Sequence, residues 1–136
     1  MEKWEAAYIA GIIDGEGSIT LTRMHAHENR RPCITISSTD IELLEYIQNL
    51  AGGSIINKKN YKPDIHKNSF TLNIKQKDQV FNLLMSINQL LRVHQKRKRA
   101  EFILSHYNLV TKRNGKYTQM ELEKKKKFEE DFFELY

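Results

Sequence analysis

A chain of 136 residues with 40% hydrophobic and 29% charged residues can bury one real core and is too apolar for a disordered coil. No apolar run approaches the roughly 20 residues a membrane span needs, and the lone Cys33 excludes an internal disulfide and a Cys-rich zinc site. A net charge of +5 and a pI of about 9.3 favour a polyanionic partner such as nucleic acid.

In chain order, residues 4–14 (Trp-Glu-Ala-Ala-Tyr-Ile-Ala-Gly-Ile-Ile-Asp) predict a helix with almost no polar face, which must be buried on more than one side. Ala6 and Ala10, and likewise Ala7 and Gly11, are small residues four apart that allow close backbone approach. Gly15 and Gly17 punctuate its end. Ser18-Ile19-Thr20-Leu21-Thr22 then alternates as a half-buried strand, and Cys33-Ile34-Thr35-Ile36-Ser37 repeats the pattern beyond a turn near Glu28-Asn29-Arg30.

Thr39 or Asp40 is placed to cap a helix through Leu43, Leu44, Ile47 and Leu50, stopped by Gly52-Gly53. A second strand pair spans 54–60 and 69–75. Asp78 is placed to cap a helix carrying Val80, Phe81, Leu84 and Ile87; a further helix runs from about Lys96 to Tyr107. An amphipathic segment over 118–135 carries Met120, Leu122, Phe128, Phe132 and Leu135, and its Lys124–Lys127 run precedes Glu129, Glu130 and Asp131 as a self-paired helix surface.

The order α-β-β-α-β-β-α, with added C-terminal helix, predicts an α+β domain: a core over about 4–107 and a helical extension over about 112–136 of one domain, 1–136. One sheet face is apolar. The other is solvated and lined by Thr20, Thr22, Thr35, Asn57, Thr71, Asn73 and Lys75. The two strand-pair regions, 17–36 and 53–77, hold nine Lys/Arg against two Asp/Glu. Such a face suits phosphate contact and base-edge readout; an ordinary solvated sheet face is the plainer alternative. Arg23, Arg30, Arg31, Ser37, Lys59 and Lys98 complete the candidate DNA-contacting set.

Asp14 and Glu16 fall where the first helix ends, already the negative pole of the helix dipole. Two carboxylates there repel one another unless a cation is bound. Oxygen ligands without histidine or thiol point to Mg²⁺, which activates water and stabilises a leaving oxygen. The bland alternative is that both acids merely end the helix in solvent.

Ile9-Ala10-Gly11-Ile12-Ile13-Asp14-Gly15-Glu16-Gly17-Ser18 resembles the LAGLIDADG motif of homing endonucleases and intron maturases, with isoleucine at the leucine positions, Gly for Ala at the seventh and Glu for the second Asp. The resemblance extends over roughly residues 4–107 and implies a saddle-shaped antiparallel sheet. In that family two motif helices pack side by side, and each delivers its second acid to a shared metal cluster. One motif copy then implies a homodimer on a pseudo-palindromic DNA site, cutting across the minor groove to leave 3′ overhangs.

Carried over, Glu16 is the metal ligand with the Gly15 carbonyl, and Asp14 braces the helix pair with a lesser claim on metal. Ala6, Ala7, Ala10 and Gly11 form the dimer interface, and Trp4 and Tyr8 are core or interface. The metal is Mg²⁺, with Mn²⁺ or Ca²⁺ able to substitute for binding.

Arg92-Val93-His94-Gln95-Lys96-Arg97-Lys98-Arg99 is the densest positive run, either a solvated cluster or a phosphate patch. The resemblance implies a lysine here beside the scissile phosphate. Lys96 matches best and Lys98 is the alternative. Ser37 or Ser38 stands where relatives position the attacking water. The five histidines are scattered and show no ligand spacing.

The expected function is thus a metal-dependent, site-specific double-strand DNA endonuclease. The alternatives are an intron RNA maturase or an inactive DNA-binding protein on the same scaffold. Glu2 and Glu5 occupy the place of a basic n-region, so secretion is not expected. A bacterial or phage cytoplasm, or an organellar matrix, is.

Overall fold

The computed structural model describes residues 1–58 and 60–136; Lys59, one of the predicted DNA contacts, lies outside them. The elements are α1 (Lys3–Glu16), β1 (Gly17–Thr22), β2 (Arg31–Ser38), α2 (Ile41–Ala51), β3 (Ser54–Asn57), β4 (Phe70–Ile74), α3 (Lys77–Ile87), α4 (His94–His106), a single 3-10 turn (Tyr107–Leu109) and α5 (Gln119–Phe133). The predicted order is therefore present. None of the described helices is long and apolar enough to cross a membrane.

A capping box starts α1: the Glu2 amide donates to Glu5 Oε1 at 2.8 Å while the Glu2 side chain accepts from the backbone of Glu5. Ala6, Ile9, Ala10 and Ile13 form its buried stripe. Within the single chain, burial of α1 is confined to this stripe. Trp4 (66% exposed), Ala7, Tyr8 and Gly11 face outward. Ala6 and Ala10, expected at a dimer interface, are instead packed into the chain's own core. Gly17 then turns helix into strand. Its φ of −100° suits any residue, but a Cβ there would lie 2.8 Å from the Ile13 Cα, so only glycine fits.

The sheet is antiparallel throughout, in the order β1-β2-β4-β3. Period-2 alternation sends Ile19, Leu21, Ile34, Ile36, Leu72 and Ile74 to one face, against Leu44 and Ile47 of α2 and Val80, Leu84 and Ile87 of α3. Thr20, Thr35, Thr71 and Asn73 take the other. In β3, Ser54 pairs with Asn73 and Ile56 with Thr71, while Asn57 pairs with Phe70. Asn57 consequently belongs to the helix side, and exposed Ile56 takes the polar-face position predicted for it.

α5 packs on α4 through Phe128 and Phe132; the Phe102 and Phe128 rings stack at 5.2 Å. Lys125, read as helix surface, is only 2% exposed. Its spacing with Phe128 and Phe132 puts it on the buried stripe. There its ammonium donates to Thr111 Oγ1 and lies 4.5 Å from the Tyr107 ring centre. Lys127 does pair with Asp131, at 3.3 Å, as expected of a self-paired surface.

Burial, offset by Glu129, brings the Lys125 pKa down from 10.5 to about 8. The folded state thus binds fewer protons than the unfolded between those values, and stability rises with pH across that window. Lys125→Met removes this dependence. The stability gap between variant and wild type should shift by up to about 3 kcal/mol in favour of the wild type from pH 8 to 10.5. Urea unfolding at several pH values measures it, and a constant gap would contradict the buried ammonium.

Candidate active site and nucleic-acid face

The two helix ends that meet at the acidic segment cap one another. Asp14 Oδ2 accepts from the Arg92 amide at 2.8 Å and Oδ1 from the Val93 amide at 3.0 Å, immediately before α4. In return Lys96, in the first turn of α4, donates from Nζ to the carbonyls of Ile13 (2.7 Å) and Asp14 (2.8 Å), near the end of α1. A carboxylate meets the positive pole of α4 and an ammonium the negative pole of α1, each worth about 0.3–1 kcal/mol. The electrostatic problem posed by acids at the end of α1 is met in part by this lysine.

The two acids therefore differ. Both oxygens of Asp14 serve amides of its own chain, so it braces α1 against α4. Glu16, one turn end further on, is exposed and has no hydrogen-bond or ion-pair partner among the described residues. Nor do the described residues contain a group of three His, Cys, Asp or Glu able to hold a metal. One chain thus offers one unengaged carboxylate at this end, beside the Gly15 backbone.

The basic run divides by helix geometry. Lys96 faces α1, and Arg97 pairs with Glu101 at 3.2 Å. Arg99 Nη1 donates to the Ile19 carbonyl at 2.9 Å, covering the free edge of β1, and its guanidinium lies 4.8 Å from the Phe132 ring centre. Its Nε is buried without a partner among the described residues, and burial lowers its pKa. Lys98 stays exposed, but two residues on from Lys96 it points some 200° around the helix, away from α1. The ammonium beside the acidic end is that of Lys96.

On the polar sheet face, hydroxyls pair across strands: Ser18 with Thr35 at 2.6 Å and Ser37 with Thr71 at 2.9 Å. Ser38 Oγ accepts from the Asp40 amide at 3.0 Å, so it holds the turn into α2. Cys33 shares that face by register yet is buried, and burial raises its thiol pKa despite nearby Lys75. Thr20, Thr22 and Thr35 are half-buried, as are Thr71 and Asn73; Arg23, Arg31 and Lys75 are exposed. Arg30 is drawn away from the face. Its amide donates to Glu129 Oε1 at 3.0 Å and its guanidinium sits 5.2 Å from the Phe133 ring centre, both on α5.

Residues Arg99, Glu129 and Lys125 were not legible as parts of this framework. Only the i, i+3, i+7 spacing of Lys125 with Phe128 and Phe132 signalled its burial. A groove of about 470 Å³ lies between α1 and α2, lined by Trp4, Tyr8, Glu42, Leu43 and Tyr46. It continues the outward stripe of α1, where a Cβ on Gly11 or Gly15 would meet nothing within 4 Å.

A family profile described as a LAGLIDADG-like domain matches residues 3–116. Among curated proteins none matches by sequence. Among solved structures, the homing endonuclease I-CvuI, complexed with a DNA target in the presence of Mg and showing the DNA not cleaved, is 16% identical with a TM-score of 0.62, covering 98% of both chains. The archaeal intron-encoded homing endonuclease I-Vdi141I, complexed with DNA, is 19% identical with a TM-score of 0.56, covering 94% of this chain and 98% of that one. The LAGLIDADG meganuclease I-AabMI, bound to uncleaved DNA, is 21% identical with a TM-score of 0.63 over 95% of this chain but only 44% of its own. These likenesses show a shared fold.

The reciprocal caps carry a stability prediction. Asp14→Ala leaves the Arg92 and Val93 amides, just ahead of α4, without their acceptor and should lower the unfolding free energy by about 1–2 kcal/mol, read from the urea midpoint. An unchanged midpoint would mean that the α1–α4 joint is held by other contacts.

Proposed function

This chain belongs to the LAGLIDADG-like domain family, and from that membership and its unengaged Glu16 we propose that it is a site-specific DNA endonuclease, dependent on a divalent metal and active as a homodimer. The observation that carries the reading is the division of labour at the end of α1. Asp14 is consumed by structure, while Glu16 is exposed at the same helix end with no partner of its own among the described residues.

The donor set fits Mg²⁺ when shared. Mg²⁺ takes one or two carboxylates and completes its shell with water and substrate phosphate oxygens. Glu16 and the Gly15 carbonyl of each copy would hold it, and bound there it supplies a nucleophilic water and charge stabilisation for phosphodiester hydrolysis. Lys96 spends two of its three N–H donors on α1, leaving the third for a phosphate oxygen or the attacking water. Its two carbonyl bonds fix that ammonium in advance, which is the condition for electrostatic stabilisation of developing charge. The Ser37 hydroxyl is tied to Thr71, which favours sheet bracing over water positioning.

A second copy completes what one chain lacks. The outward stripe of α1, with Ala7, Gly11 and Gly15, is open to close helix approach, and Trp4 and Tyr8 leave a large aromatic surface beside it. Pairing along it brings two Glu16 carboxylates to one place. The polar sheet faces, with Thr20, Thr22, Thr35, Thr71, Asn73 and Lys75, then lie along one duplex for groove readout.

Glu16→Gln keeps the shape and removes the charge. Cleavage should fall at least about a thousandfold, equivalent to roughly 4 kcal/mol of barrier, while binding of the same duplex in Ca²⁺ stays within a few-fold. Gel assays of nicking and of mobility shift read the two separately. Cutting by the variant at the wild-type rate would remove Glu16 from the chemistry.

A further inference from the structure

The loop joining β3 to β4 is organised by one side chain. Asn60 donates from Nδ2 to the His66 carbonyl at 2.8 Å and to Asn68 Oδ1 at 3.2 Å, and its Oδ1 accepts from the Lys62 amide at 3.0 Å. The amides of Ile65 and His66 both return to the Lys62 carbonyl, closing a tight turn. The loop encloses a cavity of about 400 Å³ lined by Lys58, Asn60, Tyr61, Lys62, His66, Lys67 and Ser69. Three lysines, an imidazole, an amide and two hydroxyls line it, with no carboxylate among the described lining residues.

Position adds to composition. The Lys58 amide donates to the Ser69 carbonyl at 2.9 Å, so the ladder continues past β3 and β4 and puts Lys58 and Ser69 at polar-face positions. The pairing of Gly17 with Ile36, Ile36 with Leu72 and Ile55 with Leu72 puts the start of β1 and the β3–β4 loop at the same end of the sheet. Three strand spacings, about 14 Å, separate β1 from β3. The cavity thus opens on the polar face, at the Glu16 end but on the opposite flank.

We infer that this loop is a built phosphate cradle: Asn60 is a positioning residue that holds Lys58, Lys62 and Lys67 around one stretch of duplex DNA backbone, so that the outer flank of the substrate is gripped while its centre lies over Glu16. The inference rests on the DNA-binding reading above. It goes beyond it in assigning a ligand class to a loop that would otherwise be three solvated lysines. Charge density alone would make the lysines matter; only a cradle makes the neutral Asn60 matter.

The test needs no target sequence, because phosphate contacts are sequence-independent and set the salt dependence of binding. Full-length wild type, Lys62→Ala/Lys67→Ala and Asn60→Ala are each titrated against random-sequence duplex DNA in Ca²⁺ at a series of salt concentrations, with thermal unfolding as a folding check. The lysine pair should lower the slope of log K against log salt by about 1.8 for each copy on the duplex, about 3.6 for a homodimer. Asn60→Ala, with every cation retained, should weaken binding about tenfold, the equivalent of one lost set of ordering hydrogen bonds.

Wild-type affinity in Asn60→Ala alongside a reduced slope in the lysine variant would mean loose charges and overturn the cradle. Unchanged slope and affinity in both variants, with the wild type binding duplex, would overturn it while leaving the DNA reading intact. Failure of the wild type to bind any duplex would bring down both, and variant effects confined to an RNA hairpin would assign the loop to RNA and overturn the proposal as stated.

Discussion

The rest of this structure depends on one joint, where the end of α1 and the start of α4 cap each other. Asp14 takes two amides ahead of α4 and Lys96 takes two carbonyls of α1. Four hydrogen bonds, all involving an ionised partner, are stronger than neutral ones. They join segments some 80 residues apart in sequence. Through them the helix that enters the sheet is fixed in angle and depth, and the acidic residue beyond it is held at a defined place. Removing Asp14 takes the side-chain acceptor from the Arg92 and Val93 amides, and removing Lys96 takes its donor from the Asp14 carbonyl, while the Ile13 carbonyl keeps the Gly17 amide.

From that joint the division of the two acids follows. Asp14 spends two of its roughly four lone-pair sites on amides, whereas Glu16 spends none on the described residues. Lys96 offsets the negative pole of α1, beside which Glu16 stands. The polar sheet face spreads from β1 outward as cross-bonded hydroxyls and amides, and the aromatic packing of α5 on α4 supports the joint from behind. Arg99 ties these layers together, reaching from α4 to the open edge of β1 while lying over Phe132. The fold is that of the homing endonucleases, and this chain spans nearly the whole of the shorter ones.

What could be read beforehand had a period. The buried stripe of α1 and the alternation of β1, β2 and β4 repeat at helical or strand spacing, so the α+β order was legible. The cap read at Asp78 was not, since α3 starts from Gln76 with Asp78 inside its first turn, and neither Gln76 nor Asp40 makes a side-chain cap bond. Ser54-Ile55-Ile56-Asn57 does not alternate, and there the side of the sheet went wrong: register with Phe70 turns Asn57 toward the helices. A residue list cannot show that Arg30 meets Glu129, 99 positions away, or that Ala6 and Ala10 are spent on the chain's own core while Ala7 and Gly11 are not. Lys125 was hidden in a lysine run, although its spacing with two buried phenylalanines marked its face. The acidic pair was legible as a pair; which acid is engaged was decided by a contact with α4 that only three dimensions contain.

In the proposed function, two copies of this chain cut duplex DNA with the carboxylates their α1 helices leave unengaged. The most direct test is to incubate the purified protein with a large randomised duplex library in Mg²⁺ and sequence the ends produced. Recovery of one pseudo-palindromic site with paired 3′ overhangs, absent when the metal is chelated, is the expected result. Recovery of cut sites with no two-fold symmetry, or of ends that persist in chelator, would contradict it.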